Sequence, residues 1–383
     1  MSEALLKAPF IDPSGYAAFI KKHYLETYIK EGGAKFKLLL GMEGSGKTTV
    51  LERIAGDARD LGFCVARLDA SRVRLGRFDE VYRAIAGQLP FDELVDRMAK
   101  TGVIASLGYD LAEIPEGETF FQWVAGQGRD PVRLRREVRK ELDGLYRDAN
   151  LTDSFATAIM LLAQANLGLP ASSDHVDILV RWLKGESIPA RMLRPVFLHR
   201  SIDRYSARHM FRSLLFLLRK IECPGLLVTI DGLEALLSRT RQPDRVRYTR
   251  LQREDAYESF RQIIDDSESM PGLFVLAASR PQILSDEMAG IRSYEALHAR
   301  IQNEIAAEQV NRFADVVDLD EAWQASGYWP EHRSKLVAAW QAYVAEKGIP
   351  QAHEPDEFSH YDYLGLVSPV KIIVDQVMRR GGD

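Results

Sequence analysis

The sequence predicts an α/β fold, in which a parallel β-sheet is covered by helices on both faces and carries a long helical insertion and a C-terminal helical lid. Two observations support this prediction. Five short apolar runs alternate with stretches whose apolar residues recur at helical spacing. The chain has 383 residues, of which 46% are hydrophobic and 27% charged, a balance typical of a globular protein with a substantial core.

The five apolar runs are the candidate strands. They span residues 35–40 (KFKLLL), 63–69 (FCVARLD), 226–231 (LLVTID), 273–279 (LFVLAAS) and 314–319 (ADVVDL). Pro-Gly dipeptides precede the third and fourth runs, as expected where a turn leads into a strand. Apolar residues at helical spacing follow the first run, so the first two runs form a parallel βαβ unit.

The rest of the sequence is mainly helical by its periodicity. Helices are expected through most of the stretch between the second and third runs, and again over 331–346 and 369–379. We therefore divide the chain into the N-terminal part of the sheet domain (1–90), a helical insertion (91–200), the rest of the sheet domain (201–320) and a helical lid (321–383).

Composition excludes several classes of protein. The net charge of −5 means that any affinity for nucleic acid depends on local clusters of cations. Cys64 and Cys223 are too few for a disulfide framework and are expected to be small core residues. The histidines show no metal-ligand spacing, and neither GxSxG nor HExxH is present. With no signal peptide and no apolar stretch of membrane-spanning length, we expect a cytoplasmic protein without a membrane partner.

Residues 41–48 (GMEGSGKT) match GxxxxGK[ST], the Walker A or P-loop pattern, at every fixed position. Backbone N–H groups in such a loop surround phosphate oxygens, while Lys47 reaches the β and γ phosphates and Thr48 ligates Mg²⁺. The alternative is a glycine-rich turn without function, but the loop lies between a predicted strand and a predicted helix, which favours binding. The expected nucleotide-binding residues are Gly41, Glu43, Gly44, Ser45, Gly46, Lys47, Thr48 and Thr49.

A P-loop needs a second magnesium carboxylate at the end of a neighbouring buried strand, and Asp231 ends the third run. The next position, where many ATPases carry a glutamate that polarises the attacking water, is Gly232. Glu234 is then either the catalytic carboxylate or a solvated residue at a helix start. We expect slow ATP hydrolysis, which a Gly232→Glu substitution would accelerate.

Taken together, these features resemble those of AAA+ or STAND-type P-loop ATPases, and among them the ATP-binding proteins of BREX-type bacterial anti-phage systems. The resemblance covers about residues 35–377. It rests on RWLKGE at 181–186 followed by Pro189, on MFRSLL at 210–215, and on FVLAASRPQILSDEMAGIRSYEALHAR at 274–300. It implies an AAA-like core that binds ATP and Mg²⁺ and acts with a helicase or similar nucleic-acid-processing partner in defence.

The resemblance also implies roles for three further residues. Ser279 matches a polar sensor of the γ-phosphate, with a strand-end cap as the alternative. Arg300 matches the arginine after SYEAL and is a candidate arginine finger that acts in trans within a homo-oligomer. Arg312 is the alternative candidate for the finger. The other interpretation of Arg300 is a surface salt bridge. Lys371 is the candidate lid cation, displaced by one residue from the position that follows the proline in the family.

Arginines are dense after the third run, at positions 239, 241, 245, 247, 250 and 253. Arg245, Arg247 and Arg250 are candidates for binding the phosphate backbone of double-stranded DNA. The alternative is a solvated face paired with Asp265, Asp266 and Glu268. The sequence thus predicts a Mg·ATP-dependent regulatory ATPase of an anti-phage system, or alternatively a nucleotide-gated scaffold with little or no hydrolysis.

Overall fold

The computed structural model describes residues 15–110, 113–115, 118, 120–168, 175–238, 244–305 and 311–321. The predicted lid beyond residue 321, and with it Lys371, lies outside the described residues. Arg239 and Arg241 also lie outside them. The proposed division of the chain into four parts therefore stays a prediction.

The five predicted apolar runs form one parallel sheet of five strands in the order β2-β3-β4-β1-β5. The second and fifth strands are shorter than predicted. The bounds are β1 Lys35–Leu40, β2 Cys64–Asp69, β3 Leu226–Asp231, β4 Leu273–Ser279 and β5 Val316–Asp318.

Register in the parallel sheet brings the carboxyl ends of the strands together. Leu40 at the end of β1 is the partner of Ser279 on one side and of Asp318 on the other, while Asp69 is the partner of Asp231. Ligands of open α/β sheets bind at this edge. Four of the five strands thus end in a hydroxyl or carboxylate residue. The remaining strand, β1, leads into the glycine-rich loop.

Helices flank the strands as the periodicity predicts. Before β1 lies α1 Tyr16–Ile20, which continues as a π-helix over Lys21–Tyr28. Between β1 and β2 lies α2 Lys47–Asp60, and after β2 comes α3 Phe78–Ala86. After β3 come a 3₁₀ turn Leu233–Leu237, α11 Arg250–Asp265 with a second 3₁₀ turn Ser267–Ser269, α12 Gln282–Ser285, a third 3₁₀ turn Ile291–Ser293 and α13 Glu295–Ile305.

Helices dominate the described part of 91–200, in agreement with the predicted character of the insertion. They are α4 Phe91–Arg97, continuing as a π-helix over Met98–Ile104, α5 Phe120–Gly126, α6 Pro131–Asp143, α7 Asp153–Asn166, α8 Val176–Leu183 and α9 Ala190–Leu193, with 3₁₀ turns at Gly144–Arg147 and Arg194–Val196. After the insertion, α10 Ala207–Lys220 precedes β3. None of the described helices is long and apolar enough to cross a bilayer.

The sheet is buried on both faces, which explains why its strands are continuous apolar runs rather than alternating ones. Leu38 and Leu40 belong to the buried cluster that includes residues of α11 and of the insertion, whereas Leu39 between them belongs to the cluster with α1 and α2. Lys37 is fully buried; its ammonium donates hydrogen bonds to the carbonyls of Arg312, Phe313 and Ala314 and lies 4.8 Å from the Tyr24 ring centroid. These contacts compensate its desolvation.

Candidate nucleotide site

The loop that follows β1 turns directly into α2. Gly46 precedes the first residue of that helix and has φ 93°, a left-handed conformation that a side chain would strain. The amide of Ser45 donates to the carbonyl of Met42 (3.1 Å), which closes the loop. The loop therefore presents the N-terminus of α2, with its free N–H groups, at the carboxyl edge of the sheet.

Lys47, the first residue of α2, folds back over this loop. Its ammonium donates to the carbonyls of Gly41 (2.6 Å) and Met42 (2.8 Å). Burial lowers the pKa of Lys47 below its usual value, while the carboxylates of Glu234, Asp320 and Asp231 oppose that shift. The side chain is thus a cation in a partly desolvated cleft, held by contacts that a ligand anion can replace.

Thr48 and Asp231 come together from different elements. The Thr48 hydroxyl donates to Asp231 Oδ2 (2.7 Å), and the other carboxylate oxygen accepts from the amide of Gly232 (2.8 Å). A hydroxyl beside a carboxylate supplies oxygen ligands of the kind that Mg²⁺ prefers. Within the described part of the chain, no three His, Cys, Asp or Glu residues are grouped so as to hold a metal by themselves.

Glu234 reaches the same cleft through a change of backbone direction. Gly232 has φ 71° and leads from β3 into the 3₁₀ turn that contains Glu234. Glu234 Oε2 is buried and accepts no hydrogen bond from any described residue. Of the carboxylates that act on Lys47, that of Glu234 has the largest influence on its pKa. The side chain as a whole is half-buried, with one oxygen shielded from solvent. Its catalytic role stays a prediction.

Ser279 lies beneath the loop. Its carbonyl accepts from the amide of Gly41 (3.2 Å), and the side chain is fully buried. Ser279 Oγ has no hydrogen-bond partner among the described residues. A hydroxyl that capped its own strand end would be satisfied, so this atom remains available to another ligand.

A cleft of about 770 Å³ lies over the carboxyl ends of β2 and β3 and beside the loop. This volume falls within the range of roughly 300–1,000 Å³ that is usual for small-molecule sites. Its lining includes Glu43, Gly44, Lys47, Thr48, Asp69, Asp231, Glu234, Arg245 and Arg280. The structure thus brings together most of the predicted phosphate and metal residues; Thr49 is exposed in the first turn of α2.

Sequence reasoning missed three polar residues around this cleft. Asp320 is buried and its Oδ2 accepts from the amide of Met42 (2.6 Å). Asp69 accepts from the amide of Ser71 (2.8 Å), and Arg280 donates to Glu43 Oε2 (3.1 Å). Each of the three lies at the end of an apolar run or within two residues of it. A polar residue at the end of a predicted strand is the sequence signal that would have identified them.

Arg300 lies outside the cleft. Its Nε and Nη2 both donate to the Asp265 carboxylate, the latter at 2.7 Å, and Nη1 donates to the carbonyl of Ala296 (2.6 Å). The interaction links α13 to α11. This geometry matches the salt-bridge alternative that the sequence left open, since the guanidinium is engaged within its own chain.

The arginines that follow β3 do not point to one common partner. Arg245 lines the cleft, Arg247 is exposed, and Arg250 donates to Glu254 Oε1 (2.9 Å). Of these, only Arg250 forms an ion pair among the described residues, and it does so within its own helix. Binding of double-stranded DNA by this cluster stays a prediction.

Comparison with protein families shows a match over most of the chain. The family model described as "BREX system ATP-binding protein BrxC/D" matches residues 18–325. The match spans the glycine-rich loop, the insertion, Asp231 and Arg300. No curated protein matches the chain.

Proposed function

The chain belongs to the BREX system ATP-binding protein BrxC/D family, and from this premise we propose that it is a Mg·ATP-dependent regulatory ATPase of a bacterial anti-phage system. The observation that carries the proposal is the meeting of Lys47, Thr48 and Asp231 in one cleft at the N-terminus of α2. Its partners would be proteins of that system, such as a helicase.

Each residue has a distinct part in binding. Lys47 would exchange its bonds to the Gly41 and Met42 carbonyls for bonds to phosphate oxygens, which are stronger because the acceptor is charged. Asp231 and Thr48 would hold Mg²⁺, which neutralises phosphate charge when it is bound. Ser279 Oγ, buried and without a described partner, would donate to a phosphate oxygen.

Glu234 is the proposed base for hydrolysis. A half-buried carboxylate with one shielded, unpaired oxygen and a cation nearby is suited to accept a proton from water or to orient it. The 3₁₀ turn brings it there in spite of Gly232 at the position where many ATPases carry the glutamate. The alternative is a nucleotide-gated scaffold. It is favoured by the position of Glu234 two residues after Gly232, since a carboxylate displaced in this way need not reach the attacking water.

Calorimetry with Mg·ATP tests the binding step. We expect Lys47→Ala to lose most of the affinity, because no other described cation occupies the loop itself. Asp231→Asn and Thr48→Val should lose the part of the affinity that depends on Mg²⁺ and retain the rest. Lys140→Ala, an exposed lysine on α6, is the control. Wild-type affinity in Lys47→Ala would refute the site.

Turnover distinguishes the ATPase from the scaffold. We expect Glu234→Gln to slow phosphate release by about 10²-fold or more while Mg·ATP binding is retained, because the amide keeps the size and loses the base. Glu141→Gln, at an exposed glutamate on α6 outside the cleft, serves as the matched control. If wild type and Glu234→Gln release phosphate equally slowly, the scaffold is correct.

A further inference from the structure

A second candidate binding surface lies in the helical part of the chain between β2 and β3, and none of its residues lines the nucleotide cleft. Residues 188–206 form a segment that contains α9 and the 3₁₀ turn Arg194–Val196. The Ser201 hydroxyl ties the segment back on itself, since it accepts from the amide of Ile188 (2.8 Å) and donates to its carbonyl (3.0 Å). The Trp182 indole N–H donates to the carbonyl of Arg200 (2.9 Å). We call this segment the aromatic-basic loop.

The apolar residues of the loop divide into anchors and exposed rings. Leu193, Val196 and Leu198 are buried in the core. Phe197, between two of these anchors, is 72% exposed, and Tyr205 is 70% exposed. The anchors therefore fix the loop on the protein while the two rings face solvent, an arrangement that folding does not require.

The backbone at Phe197 ends the preceding helical turn. Its φ is 57°, and the amides of Phe197 and Leu198 donate to the carbonyls of Arg194 and Leu193 (3.1 Å each), so the left-handed conformation is that of a helix C-cap. Glycine occupies such a cap without strain, whereas phenylalanine does not. An exposed aromatic ring at a position better suited to glycine favours a role for the ring in binding.

The charge of the loop indicates the chemistry of that ligand. Its four arginines are all exposed and its one acidic residue is Asp203; the arginines are Arg191, Arg194, Arg200 and Arg204. Asp203 accepts from the amides of Tyr205 (3.0 Å) and Ser206 (2.9 Å). These hydrogen bonds, of which the one from the Ser206 amide has the largest effect, lower the pKa of Asp203. The Asp203 carboxylate is therefore engaged within its own turn.

The arginines remain available to an anion. Among the described residues, Arg191, Arg194 and Arg200 form no ion pair, and the Arg204 guanidinium stacks over the Tyr205 ring at 4.5 Å and bonds to its hydroxyl. The loop is thus a local cationic surface on a chain whose net charge is −5.

We propose that the aromatic-basic loop binds single-stranded nucleic acid, with bases stacked on Phe197 and Tyr205 and phosphates held by Arg191, Arg194 and Arg200. Exposed rings among unpaired arginines are the features of such surfaces, since rings stack on unpaired bases of any sequence. Paired bases of a duplex have no free faces along its length, so single strands are preferred. This binding does not depend on the nucleotide site.

Fluorescence anisotropy with labelled oligo(dT) tests the proposal. We expect Phe197→Ala and Tyr205→Ala each to weaken binding by about fivefold or more, and Phe197→Trp to retain it. Phe197→Leu, which keeps apolar volume but loses the aromatic face, should bind like the Ala variant. Equal binding of duplex and single strand, rescue by Leu, or no binding by wild type would each overturn the proposal.

Charge is tested with a matched pair of arginine variants. Arg194→Gln with Arg200→Gln should lower the magnitude of the salt slope by about 0.7 for each phosphate that the protein no longer neutralises. Arg136→Gln with Arg139→Gln, two exposed arginines on α6, should leave it unchanged. If poly-glutamate displaces the oligonucleotide and binds in a way that needs both rings, the loop recognises an acidic protein segment and the proposal fails.

Glycine variants separate binding from stability. Phe197→Gly relieves the left-handed strain and removes the ring, so we expect a higher melting temperature and weaker oligo(dT) binding. Glu222→Gly relieves similar strain at φ 56° and should raise the melting temperature with binding unchanged. Unchanged binding in Phe197→Gly would overturn the role of the ring, and the Lys47→Ala variant should bind oligo(dT) like wild type.

Discussion

Gly232 has a conformational role that its place in the sequence conceals. The sequence analysis treats it as the position where many ATPases carry a glutamate. In the structure its φ of 71° and ψ of 31° turn the chain from β3 into a 3₁₀ turn, and Glu234 enters the cleft as a result. A Cβ at this position would lie 3.6 Å from Asp69 Oδ1, so the space is adequate but the backbone conformation is not.

We therefore expect Gly232→Glu to lower the free energy of unfolding by about 1–2 kcal/mol and not to raise ATP turnover, contrary to the expectation from sequence. Two carboxylates, those of Asp69 and Asp231, already lie beside this position. Urea denaturation and a phosphate-release assay measure the two effects. Gly144→Glu, at an exposed glycine with right-handed φ, is the control. Faster turnover at wild-type stability would contradict this account.

Asp320 shows what residue types alone could not predict. Its carboxylate holds the amide of Met42, a residue 278 positions away in the chain. That contact exists because β5 lies beside β1, an order that five apolar runs do not specify. Lys47, Thr48 and Asp231 were predictable because the GxxxxGK[ST] spacing and a strand-end aspartate are local patterns.

At the scale of elements, the strands were predictable because buried parallel strands are continuous apolar runs. The fifth strand is shorter than predicted, since only Val316–Asp318 lie opposite Leu38–Leu40 in the register with β1. The π-helical continuations over Lys21–Tyr28 and Met98–Ile104 were not predicted. Residue spacing indicates a helix but does not distinguish hydrogen bonds to the fourth residue from those to the fifth.

Residues 244–249 are an element without regular structure that is nevertheless well anchored. The amide of Val246 donates to the carbonyl of Ser71 (2.7 Å). The Tyr248 hydroxyl lies 2.6 Å from the carbonyl of Val73 and accepts from the amide of Leu75 (3.3 Å). Burial raises the pKa of Tyr248 to about 12. Thr249 then caps α11, so the residues that directly follow Arg245 are fixed beside the cleft.

We expect Arg245→Gln to weaken Mg·ATP binding by about 1.5 kcal/mol, the value of a hydrogen bond to a charged group, because Arg245 is a cation that lines the cleft. Arg247→Gln, at an exposed arginine two residues later, should bind Mg·ATP like wild type. Calorimetry measures both. If Arg245→Gln retains its ATP affinity but loses affinity for double-stranded DNA, the DNA-binding prediction for this cluster is favoured instead.

At the scale of the whole molecule, charged side chains join helices that are distant in the chain. Arg300 pairs with Asp265, Arg261 pairs with Glu258, and the Tyr294 hydroxyl donates to Glu258 (2.6 Å). Arg261 above all lowers the pKa of Glu258 to about 2. Arg212 on α10 reaches Asp266 (2.8 Å). Through these contacts α13 is joined to α11, and α10 is joined to the residue that follows α11. Arg300 is thus part of the network that holds these helices together.

The network predicts how Arg300 behaves in solution. We expect Arg300→Ala and Asp265→Ala to lower the urea midpoint slightly and by similar amounts, and the double variant to add little, because either change breaks the same partly exposed ion pair. Specific ATPase activity should depend on protein concentration in the same way in Arg300→Ala, Asp265→Ala and wild type. A finger acting in trans would give a different pattern. The specific activity of wild type and of Asp265→Ala would rise with protein concentration, and that of Arg300→Ala would not. The reason is that only the arginine would then touch the nucleotide of the neighbouring subunit.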